Sequence, residues 1–393
     1  MRILLVHYDE LDTLGGVELL VRRLSGAFTR AGHPSGVVEI GAGWLPRRPL
    51  EGQIPIWRIA AASFPSVTRP RSWLAAARSA RQLRRVIREW GADIVHVQFP
   101  IGQSIPAVLA HCLPHRWPLA VTVHNSEIRV APQADPRLVA WQRRLFARAD
   151  AVTAVSASML EDTRVRYPAV ADKGRVIYNG IGEDWFGTDR REAGRGADGG
   201  RFVLFVGRLH PMKGVDLLLR AWSDLAHAHP GLELRIAGDG PQRAELERLA
   251  RDAGDRVRFL GALENAALRP LYRDAAAVVL PSRAEGFPLT LLEACACGAL
   301  CVAAGVPGVT EILEHGRTGL VFAPGSSQAL AGALSDALAL EVAAAGAMRS
   351  AAARTIRERF TESAMVGRYL KLYSDLLART ARLGGSVHAR GDR

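Results

Sequence analysis

Cysteine is scarce in this chain: Cys112, Cys295, Cys297 and Cys301 are all that 393 residues contain. Three of them crowd into one stretch, unlike the spaced pairs of a disulfide-stapled secreted protein, so a reducing, cytoplasmic setting is expected. The C-x-C-x-x-x-C run lacks a histidine or a fourth thiolate to complete a tetrahedral metal site, and small buried side chains explain it better. Long hydrophobic runs are missing too, and no segment approaches the length needed to span a bilayer. The opening "MRILLVHYDE" turns acidic where a signal peptide would stay apolar, and it reads as a first strand.

Positive charge, by contrast, is abundant. The formal net charge is +12 and the pI ≈ 10.3, carried almost wholly by arginine. Nucleic acid, anionic membrane and phosphorylated substrates are the partner classes this raises. A length of 393 residues with 48% hydrophobic content points to two globular domains of ordinary size.

Short apolar runs alternate with amphipathic stretches of helical length, the pattern of βαβ units around a parallel sheet. The strands predicted in the first half are "RILLVHY", "SGVVEIG", "DIVHVQF", "LAVTVH", "DAVTAVS" and "GRVIYNG". The pattern stops near Phe186, gives way to a polar, Gly-rich linker over 187–200, and restarts with "RFVLFVG", "LELRIAG", "VRFLG", "AAAVVLPS", "LCVAAG" and "GLVFAPG". The expected fold is α/β, with two Rossmann-like, doubly wound domains over 1–186 and 201–360. An amphipathic helix over 361–380 follows, opened by Thr361, and 381–393 reads as a disordered tail. Ligands of such sheets bind outside the carboxyl ends of strands, and two facing sheets would place one substrate on each wall of a central cleft.

The strand ends carry the chemistry. After "RFVLFV" comes "GRLHPMKG", where Gly207 permits close backbone approach and Arg208 with Lys213 sets two cations outside one strand, a clamp for a phosphate. Either cation alone reads equally well as a solvated surface charge. In "LPSRAEGFPLTLLEACACG" (280–298), Glu285 lies in a loop and Glu293 in the second turn of a helix that Pro288 opens. The unpaired N–H groups and partial positive charge of that helix start suit an anion. Gly238 and Gly240 in "AGDGPQ" form a strand-to-helix turn that fits a plain tight turn or a nucleotide passing overhead. In the first half, Gly15 and Gly16 open the first long helix, while His124 closes "LAVTVH" and is followed by Asn125, Ser126 and Glu127. A histidine at a strand end is also a common structural hydrogen-bonding residue.

With these motifs in this order, the chain resembles the retaining glycosyltransferases of family 4, with the two-Rossmann GT-B architecture, over residues 2–380. "EGFPLTLLEA" resembles that family's E-x7-E motif, supported by "GGVE" near residue 16, His124, "NGI" at 179–181, "GRL" and "KG" at 207–214, and "GDGP" at 238–241. The resemblance implies an acceptor-binding first domain, a nucleotide-sugar-binding second domain, and a C-terminal helix packing back on the first. It implies that Glu285 bonds donor-sugar hydroxyls, that Gly286, Phe287, Leu289 and Thr290 line the sugar and phosphate, and that Glu293 holds the ribose. Arg208 and Lys213 would hold the diphosphate beside Gly207, Gly238 and Gly240, with Gly16 close to it and His124 at the reacting face of the sugar. No metal and no other cofactor is expected, and no D-x-D of metal-dependent sugar transferases occurs. Two departures stand out: Asn125 replaces a commonly acidic residue, and Ala299 and Leu300 replace a proline common after "CG".

The implied reaction moves a hexose-type sugar from a UDP- or GDP-linked donor to an acceptor hydroxyl with retention of configuration, by same-face attack. Glycan, glycolipid and natural-product acceptors all stay open, and Asp12, His96, Gln98, Asn125 and Glu127 are the candidate acceptor contacts. Competing readings are a nucleotide-sugar epimerase on a similar fold, and an NAD-dependent dehydrogenase. Glu39 at the end of the second strand would serve the dehydrogenase, but the full G-x-G-x-x-G is missing. Nucleic acid is not an expected partner. The stretch 69–88 holds seven arginines and no acid. Its apolar stripe of Trp73, Ala76, Ala80, Leu83, Ile87 and Trp90 fits packing on the chain's own sheet better than insertion into anionic lipid at the inner face of the cell membrane.

Overall fold

Runs of three to seven residues, most of them buried, form the strands of two sheets in the computed structural model, which describes residues 1–8, 16–41, 45–49, 54–60, 70–101, 105–111, 117–186, 201–252 and 256–388. In the first sheet β1 (Ile3–Tyr8), β2 (Ser35–Gly41), β3 (Leu45–Pro49), β4 (Pro55–Ala60), β5 (Ile94–Gln98), β6 (Leu119–Val123), β7 (Ala151–Ala154) and β8 (Gly174–Val176) lie in the order β3-β4-β2-β1-β5-β6-β7-β8. All pairings are parallel except that of β3 with β4. The second sheet has β9 (Arg201–Val206), β10 (Leu232–Ala237), β11 (Val257–Gly261), β12 (Ala277–Leu280), β13 (Cys301–Ala304) and β14 (Leu320–Phe322), parallel throughout in the order β11-β10-β9-β12-β13-β14. Strand order reverses between β1 and β5 in one sheet and between β9 and β12 in the other, the switch points where doubly wound folds open a crevice.

The predicted strands are all present, and two more, β3 and β4, were not foreseen. "LPRRP" has neither apolar alternation nor a free N–H at its prolines, and the edge of a sheet is where such a segment is tolerated. Helices cover the sheets. In the helix Pro70–Trp90, Ala76, Ala80, Leu83 and Ile87 are buried, Ser79 Oγ donates to the Ala60 carbonyl at 2.6 Å, and Trp90 meets Trp57 edge to face. The sheet thus occupies the apolar face of that helix, leaving Arg71, Arg78, Arg81, Arg85 and Arg88 exposed. Among the described residues no single helix is long and apolar enough to cross a membrane.

The chain divides into two units, Met1–Tyr178 with Ser363–Arg393, and Asn179–Glu362. The first therefore ends before the expected boundary at 186, because 179–186 is bound into the second. Ile181 pairs with Thr361, the buried Trp185 lies against Tyr272 with Arg269 over its ring, and Arg357 sits over Phe186. The expected linker, 187–200, lies outside the described residues. The last helix runs Glu362–His388, so the disordered tail expected from 381 is corrected as far as His388. Ala381, Arg382 and Leu383 are strong helix formers that carry it past the expected end. Its Tyr369 and Tyr373 stack on each other and pack against Phe28 in the first unit. Cys295 and Cys301 are buried with their sulfurs 3.6 Å apart, and hydrogen bonding to Cys301 together with burial holds the Cys295 thiol well above its usual pKa.

Candidate functional site

In the second unit the residues singled out by sequence gather at the β9/β12 switch point. Gly207 and the exposed Arg208 follow β9 directly. A single 3-10 turn, Pro211–Lys213, comes next, with His210 Nδ1 accepting from the Met212 amide at 3.2 Å. Gly214 ends it at φ +68°, and a Cβ there would stand 2.1 Å from the Pro281 carbonyl oxygen, so only glycine lets this loop reach the end of β12. Lys213 Nζ then donates to Glu285 Oε1 at 2.6 Å, and Ser282 Oγ donates to the same oxygen at 2.7 Å. Glu285 is 5% exposed and the Lys213 side chain 29%, which leaves the ammonium in contact with both the carboxylate and solvent. Arg283 clamps the two loops: it donates to the Pro211 carbonyl at 2.7 Å and to both Asp216 oxygens at 2.8 and 2.7 Å, holding the Asp216 carboxyl below its usual pKa. Burial, then the charges of Arg208 and Lys213, lower the pKa of His210.

Gly238 has a structural reason of its own, since a Cβ would meet the Gly207 carbonyl oxygen at 1.9 Å; Gly240 packs likewise on Leu209. These glycines let the ends of β9 and β10 lie backbone against backbone. Pro288 stands at the N-cap, one position before the expected helix start, and the helix is Leu289–Ala296. The amides of Leu289 and Thr290 have no acceptor inside it. Gly286 and Phe287 are buried beneath, with Phe287 edge to face on Phe360 at 5.1 Å. Glu293 is buried and accepts from the Tyr272 hydroxyl at 3.2 Å. Burial and then the Glu293 charge keep Tyr272 well above its usual pKa, so it stays a donor.

In the first unit His124 directly follows β6, and its Nε2 lies 2.9 Å from Oε1 of Gln98, the last residue of β5. Gln98 Nε2 stands 3.1 and 3.2 Å from the two ring nitrogens of His96. His96 has no exposed surface, with Nδ1 2.6 Å from the Tyr373 hydroxyl and Nε2 2.6 Å from Thr122 Oγ1. Burial lowers the pKa of both histidines to about 3, helped by His124 acting on His96 and by His7 acting on His124, so both rings are neutral. Glu127, also without exposed surface, accepts from the His124 amide through one oxygen and from the Asn125 amide at 2.8 Å through the other. Burial outweighs these bonds and raises its pKa to about 7. Of the candidate acceptor contacts, His96, Gln98 and Glu127 thus turn inward, Gln98 being 1% exposed with both ends of its amide engaged, and Asp12, with Gly15, lies outside the described residues. Asn125 caps the short helix Ser126–Arg129, and its Oδ1 is buried without a hydrogen-bond partner among the described residues. Gly16 begins the helix Gly16–Arg30 with open space around it.

Residues 14–185 match the family model described as Glycosyltransferase Family 4, and residues 188–358 the one described as Glycosyl transferases group 1. Over 381 residues the chain is 32% identical to glycogen synthase of Mycobacterium tuberculosis, covering 90% of this chain and 89% of that protein. The chain belongs to the family 4-type GT-B glycosyltransferases. Among solved structures, sucrose-phosphate synthase from Thermosynechococcus elongatus has a TM-score of 0.80 at 24% identity, covering 96% of this chain and 99% of that one. Anabaena HepE in complex with UDP-glucose has a TM-score of 0.76 at 22% identity, covering 95% and 99%. At these identities the likeness is one of fold.

As a glycosyltransferase the chain is neither the dehydrogenase nor the epimerase weighed above. Glu39, which the former would have needed for a ribose, has no exposed surface and is held by Arg58 at 2.9 and 3.1 Å. Sequence reasoning missed Arg283, Asp216, Ser282 and Tyr272. Ser282 was in view, since it sits three residues before Glu285; the others act across loops that only the fold brings together. His7, buried at the end of β1 and 3.5 Å from Glu18, was passed over as a strand residue.

Proposed function

We propose that this glycosyltransferase moves a hexose-type sugar from a UDP- or GDP-linked donor to an acceptor hydroxyl with retention of anomeric configuration and without a metal. The observation that carries the reading is the joining of the loops after β9 and β12 by Lys213 on Glu285, beside a helix start whose first amides have no acceptor inside the helix. Arg208, Lys213 and the helix start receive the diphosphate and stabilise the charge that grows on it as the sugar C1–O bond breaks. Fixed cations take the part a divalent ion plays elsewhere. Glu285 grips the sugar hydroxyls and orients Lys213, while Glu293, backed by Tyr272, receives the ribose. The acceptor oxygen attacks C1 on the face that the phosphate leaves, and its proton passes to the departing phosphate oxygen.

His124 meets the substrate as a neutral ring, and Asn125 is the acceptor-side contact. Asn125 Oδ1, buried without a hydrogen-bond partner among the described residues, suits a hydroxyl-rich ligand, since buried polar atoms without partners are rare in folded proteins. The enzyme works in the cytoplasm, and the exposed arginine face of the helix Pro70–Trp90 gives it peripheral contact with anionic membrane. A screen of nucleotide sugars followed by release of UDP or GDP tests the reading. Release from a hexose donor, undiminished by a chelator, is expected; no release from any donor, or release only with added metal, would remove it.

A further inference from the structure

The hydrogen-bond path behind His124 is longer than a strand-end histidine needs. It begins on the last helix at Tyr373, 277 residues along the chain from His96, and passes through His96 and Gln98 to the His124 ring. Every member is buried. Thr122 Oγ1, which holds the other side of His96, is itself 2.5 Å from Thr153 Oγ1 and 3.2 Å from the Tyr369 hydroxyl. Such a network resists rearrangement, because each broken link strands a polar group away from water.

The chemistry of the path sets its direction. A neutral imidazole has one N–H and one lone pair, and on His96 both nitrogens are engaged by hydroxyls, so neither a proton nor an in-plane lone pair is left for Gln98; an amide N–H is still attracted to the π face of the ring, whereas a carbonyl oxygen is repelled there. The amide nitrogen of Gln98 is the group that suits this neighbour, which turns its carbonyl oxygen to His124. A carbonyl oxygen only accepts, so His124 Nε2 must carry the proton. We propose that Gln98, His96 and Tyr373 are positioning residues that lock His124 as the neutral Nε2–H tautomer, leaving Nδ1 as a hydrogen-bond acceptor for a hydroxyl of the bound sugar or acceptor. This rests on the reading that His124 meets the substrate. It also assigns the C-terminal helix a part in the site, through Tyr373.

Imidazole nitrogen-15 NMR of the full-length protein tests it, with the His124 signals identified by their loss in His124→Ala. The expected spectrum shows a protonated Nε2 and an unprotonated Nδ1 on His124. Gln98→Leu, and Tyr373→Phe more mildly, will populate the other tautomer and lower kcat roughly three- to tenfold per lost link, with KM for the donor little changed. If Gln98→Leu does not fold, Tyr373→Phe removes a single oxygen and carries the same test. A wild-type His124 protonated on Nδ1 overturns the proposal, as does an unchanged tautomer and kcat in both variants. The spectrum needs no turnover: full transfer by His124→Ala would sink the role of His124 in the reaction, while the tautomer would still be read directly.

Discussion

Lys213 is the residue whose role the geometry sharpens most. It does not wait alone for a phosphate; it is tied to Glu285 at 2.6 Å, so on the proposed reading one ammonium would link the carboxylate that grips the sugar to the diphosphate. Lys213→Ala should cost about 3 kcal/mol of barrier, roughly a hundredfold in turnover. Ser282 still donates to Glu285 in that variant, so thermal melting should move far less than the rate. Steady-state kinetics beside a melting curve checks this, and full transfer activity would remove Lys213 from the clamp. Glu127 offers a test by pH. Its pKa rises from 4.5 in the unfolded chain to about 7 in the folded one, so the folded state binds the proton more tightly. Its contribution to stability is present below 4.5 and lost as pH rises through about 7. Denaturant melts of wild type and Glu127→Gln should therefore show the wild type losing ground to the variant across that window; a wild type that gains would contradict the assignment.

Among the elements, the helix Pro70–Trp90 shows how one pattern serves two ends. The alternation of apolar and arginine faces was legible in the sequence, but not what covers the apolar face; the structure puts β4 and its neighbours there. The proposed contact with lipid would then fall to the arginine face, where attraction is screened by salt. Vesicle flotation should need anionic lipid, vanish near about 0.5 M salt, and fall with Arg78→Glu and Arg81→Glu together. Flotation on neutral vesicles or at high salt would contradict it. The parallel strands were legible because burial on both faces makes them continuous apolar runs, as in "RFVLFV" and "AVVL". β3 was not, since two arginines and two prolines form an edge strand only by pairing with β4. The last helix outran its expected end at 380 because Ala381, Arg382 and Leu383 favour helix, and the cost of about 1 kcal/mol each for the glycines at 384 and 385 is borne by a long helix.

Across the molecule, the parts of the site that lie close in sequence were the parts that could be read. Glu285 and Glu293 share one loop and helix, and His124 closes its own strand. The pairs that join distant segments were not: Lys213 with Glu285, Arg283 with Asp216, and above all His96 with Tyr373, whose contacts depend on strand order and on the return of the final helix to the first unit. Both sheets follow one plan, each reversing its strand order once, at β1/β5 and at β9/β12. The claim that most depends on this plan is retaining transfer from a nucleotide sugar held by the second unit. It can be put to proton NMR of the enzyme with an α-linked nucleoside-diphosphate hexose and water as the acceptor, recorded before the released sugar mutarotates. The α-anomer should appear first, together with the free nucleoside diphosphate, and Lys213→Ala should suppress both. Initial release of the β-anomer would show inversion and overturn the same-face mechanism.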